Sequence, residues 1–349
     1  MPTASDHAPT LAPYASLDPQ AVLEALYAAG FDADGRLLQL NSYENRVWMA
    51  HLEDGSAVVA KFYRPNRWTD AQIAEEHALT AELAEADLPV VTPLALQPRT
   101  PDLVLCTPTL GRFTTPDGGT FRLAVTERRV GHAPELEHPE TLARLGRLLG
   151  RVHAVGRRGR FEHRRTLNSQ TYGHAARQRL LDSGTVHADT ESSWLRASAQ
   201  ALELIDQLTA RLDGVRSFRL HGDCHPGNLL WRDEGQHSGP NLVDFDDCCT
   251  GPAVQDLWML LPGEREATDA ALHHLLDGYR DFTPFDDREL LLIEPLRTLR
   301  MIHHSAWIAE RWSDPAFPIG FPWFDSPSYW QQQATELNEQ VERMRDLLG

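Results

Sequence analysis

The stretch from His221 to Asp246 contains acidic, amide and histidine side chains at a spacing that suits catalysis. Asp223 and Asn228 lie five positions apart with a Pro-Gly pair between them, and Asp244 follows 21 positions after Asp223. A predicted hairpin of that length can return Asp244 to the loop, which brings two carboxylates and an amide oxygen together. Magnesium prefers such oxygen ligands and keeps phosphates and water in its shell. We therefore expect Asn228 and Asp244 to bind Mg²⁺ while Asp223 orients a substrate hydroxyl.

The same stretch matches the order H-x-D-x-x-x-x-N followed by a metal-binding Asp, which is typical of phosphoryl transfer. In that order the first Asp accepts a hydrogen bond from the acceptor hydroxyl, and the Asn and the second Asp hold the metal. The pattern predicts transfer of the ATP γ-phosphate, with Asp223 and Asp244 as catalytic residues. Two alternatives stay open from the residues alone: a module that binds nucleotide without catalysis, and a purely structural acidic cluster.

The N-terminal third of the chain gives independent support for a nucleotide site. Lys61 ends the apolar run V-V-A-K, like the strand lysine that contacts the α- and β-phosphates in kinases. A helix predicted over 68–86 follows, with Glu75 and Glu76 about two turns from its start. Either glutamate could hold Lys61 by an ion pair, and the apolar positions later in the helix favour Glu76. The alternative is a lysine that simply faces solvent.

The loop between the first two predicted strands, residues 41–46, has no G-x-G-x-x-G pattern. Ser42 and Asn45 can still offer backbone and side-chain hydrogen bonds to phosphate, although a simple hairpin turn is the alternative. Residues 126–130 are expected to connect two lobes, where backbone groups around Glu127 could bind adenine. The predicted nucleotide-binding residues are therefore Ser42, Asn45, Lys61, Glu76 and Glu127.

The elements that must position these residues change character along the chain. The first part alternates in the manner of a sheet, with predicted strands at 37–40, 46–52, 57–63, 90–96, 103–107 and 121–126. The later part has helical spacing, at 142–155, 193–212, 253–261, 268–279, 286–311 and 328–348. This order predicts an α+β, two-lobed fold: a small antiparallel-sheet lobe with one main helix, then a larger, mostly helical lobe.

The predicted domain limits follow from this change. Residues 1–18 are expected to be a flexible segment, 19–130 the N-terminal nucleotide-binding lobe, and 131–349 the C-terminal catalytic and substrate lobe. A cleft between two lobes is the usual place for a small ligand. We therefore expect ATP to bind there.

Composition limits the partners. With 33 Lys plus Arg and 50 Asp plus Glu, the net charge of −17 repels nucleic acid and favours cationic partners. No apolar run approaches the ~18 residues of a membrane span, and the first residues lack the layout of a signal peptide. We expect a cytoplasmic monomer that binds neither nucleic acid nor membranes.

Cysteine spacing and one basic run leave smaller questions. The cysteines form no C-x-x-C pair, which argues against a zinc site and fits reduced thiols; they are Cys106, Cys224, Cys248 and Cys249. Cys224 lies inside the catalytic pattern, so a redox role stays open. The basic run from Arg157 to Arg165 is either a solvated helix end and loop or an anion-docking patch.

These motifs resemble those of the aminoglycoside phosphotransferase/choline kinase family, which has a protein-kinase-like fold. The family's catalytic motif is similar to H-G-D-x-H-x-x-N at 221–228, and its metal motif to V-D-F-D around Asp244. The motif L-x-x-V-H at 149–153 is similar to a helix in the family's larger lobe. The resemblance covers nearly the whole chain.

The resemblance implies ATP as co-substrate, Mg²⁺ as cofactor and a set of residue roles. Asp223 would be the catalytic base, and Ser42 would lie at the ATP phosphates. Lys61 and Glu76 would form an ion pair, while Asn228 and Asp244 would hold the metal. Two further residues would support the catalytic loop, and these are His221 and Asp256.

Further stretches resemble bacterial serine/threonine protein kinases of the stress response within that family; they include 40–47, 61–65, 251–261 and 311–318. They imply transfer to serine or threonine of protein substrates, the chain itself among the candidates. Asp246 replaces the glycine of D-F-G and no A-P-E segment follows, so an activation loop switched by phosphorylation is not expected. Residues 312–323 either wrap the core or form a docking surface. Small-molecule acceptors of the aminoglycoside, choline or homoserine type stay the alternative, because an acidic protein suits a cationic acceptor equally well.

Overall fold

The computed structural model describes residues 13–233, 238–261 and 265–348. Contacts divide the chain into two compact units. As far as it is described, the N-terminal unit comprises Met1–Ala74, Pro93–Arg128 and Arg311–Phe321. The helical unit likewise comprises Glu75–Thr92, Arg129–Glu310 and Pro322–Gly349. Both units are discontinuous in sequence, and the domain limits expected from the sequence stay a prediction.

The first described residues include a packed aromatic side chain, Tyr14. Of the segment 1–18 that was expected to be flexible, residues 1–12 lie outside the described residues. Tyr14 is buried, its ring stacks on Phe121 with centroids 6.0 Å apart, and its hydroxyl donates to the carbonyl of Glu44 at 3.0 Å. An aromatic side chain with both a ring partner and a hydrogen-bond acceptor is held in place.

An antiparallel sheet forms most of the N-terminal unit, and the predicted α+β class is confirmed. The strands are β1 Ala33–Leu40, β2 Arg46–Leu52, β3 Ala57–Tyr63, β4 Leu103–Thr107, β5 Leu110–Thr114 and β6 Thr120–Glu127. They lie in the order β1-β2-β3-β6-β5-β4. The strand predicted at 90–96 is wrong: that segment forms only single bridges, at Val90 and Pro93. Proline has no N–H to donate, so Pro89 and Pro93 interrupt a ladder.

The alternation of β3 decides where Lys61 lies. Val58, Ala60 and Phe62 are buried in one core cluster with the helix Pro19–Ala28, termed α1. Successive side chains of a strand point to opposite faces. Lys61 therefore projects from the other face of the sheet.

The helical unit carries the remaining short strands, which form two antiparallel pairs. The strands are β7 Phe218–Leu220, β8 Leu229–Arg232, β9 Gly239–Leu242 and β10 Cys249–Gly251. The other α-helices of the described chain are α2 Asp70–Glu85, α3 Pro139–Gly156, α4 Ala175–Ser183, α5 Ala188–Arg211, α6 Gln255–Trp258, α7 Arg265–Arg280, α8 Ile293–Ala309, α9 Ala316–Gly320 and α10 Pro327–Leu348. Among the helices that the structure describes, none has the length and apolar character needed to cross a membrane.

Glycines let α3 and α7 touch along their backbones. A Cβ at Gly146 would lie 2.0 Å from the carbonyl oxygen of Leu275, and one at Gly150 would lie 2.6 Å from that of Tyr279. Real Cβ atoms do not approach so closely, so larger residues would push the helices apart. The close approach places His153 of α3 against Tyr279, with His153 Nδ1 2.9 Å from the tyrosine hydroxyl.

Candidate active site

Two short strand pairs hold the loops that carry the predicted catalytic residues. Strand β7 pairs with β10, and β8 pairs with β9, both antiparallel. Residues 221–228 connect β7 to β8, and residues 243–248 connect β9 to β10. Each loop therefore runs between the same two strand pairs. The backbone N–H of Val243 donates to the carbonyl of Asn228 at 3.0 Å. The structure thus brings together the two segments whose spacing predicted a common site.

Asp256 of α6 fixes the start of the first loop. Its side chain is fully buried; Oδ2 accepts from the N–H of His221 at 2.9 Å, and Oδ1 accepts from that of Gly222 at 2.8 Å. The ring of His153 donates to Oδ2 at 3.0 Å. Burial by itself would raise the pKa of Asp256, but the His153 hydrogen bond, the neighbouring histidines and the Gly222 amide outweigh it and lower the pKa. The carboxylate therefore stays ionised and keeps all three donors.

Gly222 is a position that only glycine fits. Its φ of +87° lies in the left-handed region, and a Cβ there would lie 2.3 Å from the carbonyl oxygen of Asp247. Its own carbonyl accepts from Nε2 of Gln255 at 2.8 Å. The turn that presents Asp223 is therefore fixed from both sides.

His221 lies between the two loops. Its Nε2 donates to the carbonyl of Val243 at 2.9 Å, and its ring centroid is 4.6 Å from that of Phe245. Its Nδ1 is 3.3 Å from the backbone nitrogen of Asp223, which donates to it. One imidazole therefore contacts the backbone on both sides of the site.

Asp223 faces an arginine that the sequence did not single out. Nη1 of Arg300, on α8, lies 2.5 Å from Asp223 Oδ1. Nε2 of His225 lies 3.5 Å from Asp223 Oδ2. The side chains of Asp223 and Arg300 are 24% and 43% exposed, so the pair is open to solvent. Burial lowers the pKa of His225, and the charge of Arg300 acts in the same direction.

The donor set of Asn228 and Asp244 fits a magnesium ion. Asn228 Nδ2 donates to the carbonyl of Asp223 at 2.9 Å, and within the described residues no donor reaches its Oδ1. Asp244 has a φ of +59°, which non-glycine residues rarely adopt. One amide oxygen and one carboxylate are the few protein ligands that Mg²⁺ takes when phosphates and water supply the rest. In the described part of the chain, no group of three or more His, Cys, Asp or Glu side chains could hold a metal ion by itself.

Glu76 pairs with a buried arginine of the helical unit. Nη2 of Arg164 lies 2.9 Å from Glu76 Oε2, and Nη1 donates to the carbonyl of Asp246 at 2.6 Å. The arginine side chain is 0% exposed and the glutamate 7%. Glu75 takes a different place, where its carboxylate accepts from the backbone N–H groups of residues 162–164. The structure thus ties both glutamates to the 162–164 segment, and the pairing of Lys61 with Glu76 stays a prediction.

The remaining predicted nucleotide-binding residues lie in the N-terminal unit. Nζ of Lys61 is 4.6 Å from the ring centroid of Tyr63. Ser42 Oγ accepts from the N–H of Asn45 at 3.2 Å, and Asn45 Oδ1 accepts from the N–H of Arg64 at 3.1 Å. Asn45 therefore fixes the loop to the end of β3. Glu127 is exposed at the end of β6.

Cys224 is buried within the loop of residues 221–228. Its side chain is 0% exposed, and burial raises the pKa of the thiol well above its ordinary value. A buried, protonated thiol is a poor nucleophile. The four cysteines are all free thiols, and the geometry gives no support to a redox role for Cys224.

Sequence reasoning missed two arginines, Arg164 and Arg300. Arg164 sits in a run of basic residues, and nothing in that run distinguishes a buried position from exposed Arg165. Arg300 lies on a predicted helix that also carries Arg297, and the sequence does not show which of the two faces Asp223. Only the folded structure distinguishes these two residues. Arg164 is buried, and Arg300 lies next to Asp223.

Comparisons with known proteins place the chain in a family. The model of the phosphotransferase enzyme family matches residues 36–292. Stress response kinase A of Escherichia coli (strain K12) is 38% identical over 334 residues, covering 95% of each chain. The serine/threonine protein kinase RdoA of Salmonella typhimurium (strain LT2) is 37% identical over 333 residues, also covering 95% of each chain.

A solved structure shares the fold across almost the whole chain. Amicoumacin kinase hAmiN, in complex with AMP-PNP, Ca²⁺ and Ami, superposes with a TM-score of 0.69 and covers 94% of both chains. Its identity of 20% makes this a likeness of fold alone.

Proposed function

The chain belongs to the phosphotransferase enzyme family, and from this premise we propose that it is a serine/threonine protein kinase. The coarser activity, ATP-dependent phosphotransfer, follows from the family. The choice of a protein acceptor is supported by relatives named stress response kinase A and serine/threonine protein kinase RdoA, which match over 95% of the chain. We further propose a role in the bacterial stress response.

The observation that carries the proposal is the joint placement of Asp223, Asn228 and Asp244 on two adjoining loops. Asp223 accepts the hydrogen bond of the acceptor hydroxyl and aligns its oxygen with the γ-phosphorus. The backbone of the loop is held by Asp256 and Gln255, so this alignment costs little reorganisation. Positioning of this kind supplies much of the catalysis in phosphoryl transfer.

Asn228 and Asp244 would hold Mg²⁺ through the amide oxygen and the carboxylate. Held by these residues, Mg²⁺ would supply positive charge that offsets the negative charge of the phosphates. Its binding needs an ionised carboxylate and a correctly turned amide, and the Asn228 contact with the Asp223 carbonyl provides the second.

We propose that the residues predicted from the sequence make the nucleotide site. Ser42 and Asn45 belong to the loop that would cover the phosphates, and Lys61 would contact them by charge. Glu76 would orient Lys61, and the backbone around Glu127 would meet the adenine. The cytoplasmic location, the monomeric state and the domain limits expected from the sequence remain proposals alongside these.

The acceptor class is tested by transfer of labelled γ-phosphate from ATP with Mg²⁺. The acceptors are the chain itself, an acidic and a basic model protein, and a panel of aminoglycosides. We expect label on serine or threonine of at least one protein and none on the aminoglycosides. Label on the aminoglycosides alone would show a small-molecule kinase instead, and nucleotide binding without any transfer would show a binding module.

A further inference from the structure

We propose that Arg300 binds an anionic group of the acceptor next to the reacting hydroxyl, so that the preferred substrate is a serine or threonine within an acidic segment of a protein. This inference rests on the proposed function, because it concerns the acceptor of the same site. It names the substrate class that the family assignment leaves open.

Arg300 is positioned directly beside Asp223. Arg300 Nη1 touches the carboxylate that would receive the acceptor hydroxyl, at 2.5 Å from Asp223 Oδ1. Any group that brings a hydroxyl to Asp223 therefore arrives within contact distance of a guanidinium. The exposed fraction of the Arg300 side chain, 43%, shows that an acceptor can reach it.

The guanidinium of Arg300 has hydrogen-bonding capacity beyond its contact with Asp223. A guanidinium has five N–H donors and no acceptor. Within the described residues, Asp223 is the only carboxylate that Arg300 contacts, and its other neighbour is the sulfur of Met259, 3.9 Å from Nη1. The remaining donors match a carboxylate or phosphate in the forked geometry that arginine favours.

Two histidines, His225 and His304, neighbour the pair formed by Arg300 and Asp223. His304 lies one turn after Arg300 on α8, and burial lowers its pKa to about 4, with the charge of Arg300 acting in the same direction. Burial also lowers the pKa of His225 on the opposite side of Asp223. Burial thus disfavours the charged form of both rings, and Arg300 is the permanent cation among these three basic side chains.

The overall charge of −17 does not reverse this preference. Charges farther away than about 8 Å are largely screened at physiological salt. A direct contact with a guanidinium is closer than that and is screened much less. Long-range attraction can therefore favour cationic partners while the contact at Asp223 still disfavours an ammonium beside the reacting hydroxyl.

The test uses three synthetic peptides that carry one serine flanked by aspartate, asparagine or lysine. Their kcat/KM values are measured with the full-length wild-type chain, Arg300→Gln, Arg300→Glu and the control Arg297→Ala. Arg297 lies on the same helix one turn earlier, but its guanidinium pairs with Glu294 at 2.8 Å and lies over Trp258. We expect wild type and the control to prefer the aspartate peptide over the lysine peptide by about 10-fold, the size of a partly exposed charge contact.

The two Arg300 variants separate acceptor binding from other roles. In Arg300→Gln the preference is expected to fall to near unity, and in Arg300→Glu it is expected to reverse. An equal loss on all three peptides would overturn the inference, because Arg300 would then act on Asp223 or on the transferred phosphate. A wild-type enzyme that phosphorylates all three peptides equally would also overturn it while leaving the proposed function intact. Transfer to aminoglycosides alone would overturn both.

Discussion

Among single residues, buried polar groups fix the backbone of the loop that carries Asp223. Asp256 accepts two backbone N–H groups and a histidine ring, so one carboxylate replaces the water that the loop backbone would otherwise need. Arg164 supplies hydrogen-bond donors instead. Its guanidinium contacts both the Glu76 carboxylate and the Asp246 carbonyl. Each of these groups is costly to bury alone and is retained with its partners.

Replacing Arg164 by alanine is expected to destabilise the protein strongly. Glu76 would stay buried without its guanidinium partner, and breaking a buried ion pair costs roughly 3–5 kcal/mol of unfolding free energy. The matched control is Arg165→Ala, one position later and exposed, which we expect to leave that free energy nearly unchanged. Urea unfolding monitored by circular dichroism makes the comparison. Equal stability of the two variants would show that the Arg164 contacts do not hold this segment.

Glu289 gives a prediction about pH. Its carboxylate is 2% exposed and accepts from the N–H of Val254 at 2.9 Å, and burial raises its pKa from 4.5 to about 7. Between pH 4.5 and 7 the folded state keeps a proton that the unfolded state has lost. Folding stability therefore falls as pH rises through this range, by up to about 3 kcal/mol.

Glu289→Gln removes this pH-dependent penalty while keeping an oxygen for Val254. We expect the variant to be more stable than wild type at pH 8 and similar to it at pH 4.5. The measurement is the free energy of unfolding in urea at both pH values. A difference that is the same at both would mean that Glu289 does not titrate as its burial implies.

At the scale of elements, the segment Arg311–Phe321 is packed against the loop that carries Ser42. Asp314 Oδ2 lies 2.6 Å from Arg64 Nη2, and both side chains are under 10% exposed. Arg311 Nε lies 2.9 Å from Glu44 Oε2, and Phe317 is fully buried. This part of the chain therefore wraps the core of the N-terminal unit, although Ile319 is 81% exposed.

Asp314→Ala tests whether this segment supports the loop. Arg64 would lose one buried carboxylate, so we expect a loss of about 3 kcal/mol in stability and a rise of several-fold in the KM for ATP. The control is Asp34→Ala, which removes the partner of Arg36 on the surface and is expected to change neither quantity detectably. An unchanged KM together with the loss of stability would limit the segment to a structural role.

The elements also show what sequence patterns can and cannot predict. Most strands and helices were predicted because their apolar positions repeat with a period of 2 or 3.6. The segment 90–96 was predicted wrongly because its apolar residues outweighed Pro93 in the pattern. The partner of Arg311–Phe321 was not predictable, since a segment of proline and aromatic residues specifies burial but not the element on which it packs.

At the scale of the whole molecule, the α+β class and the antiparallel sheet followed from the order of patterns along the chain. The two units that the contacts define are both discontinuous, and one of them includes Arg311–Phe321; the domain limits expected from the sequence stay a prediction. The candidate catalytic residues, whose roles stay a prediction, were identifiable because phosphoryl transfer requires a fixed order and spacing. Arg164 and Arg300 were not, because their roles depend on which distant group faces them after folding.

We propose that phosphate transfer by this chain depends on Asp223. The most direct measurement compares labelled γ-phosphate transfer from ATP and Mg²⁺ to serine or threonine by wild type, Asp223→Ala and the exposed-carboxylate control Asp233→Ala, with ATP binding measured for each. We predict that Asp223→Ala binds ATP but transfers at least ~100-fold more slowly, while Asp233→Ala matches wild type. Near-normal transfer by Asp223→Ala would show that Asp223 is not the catalytic base.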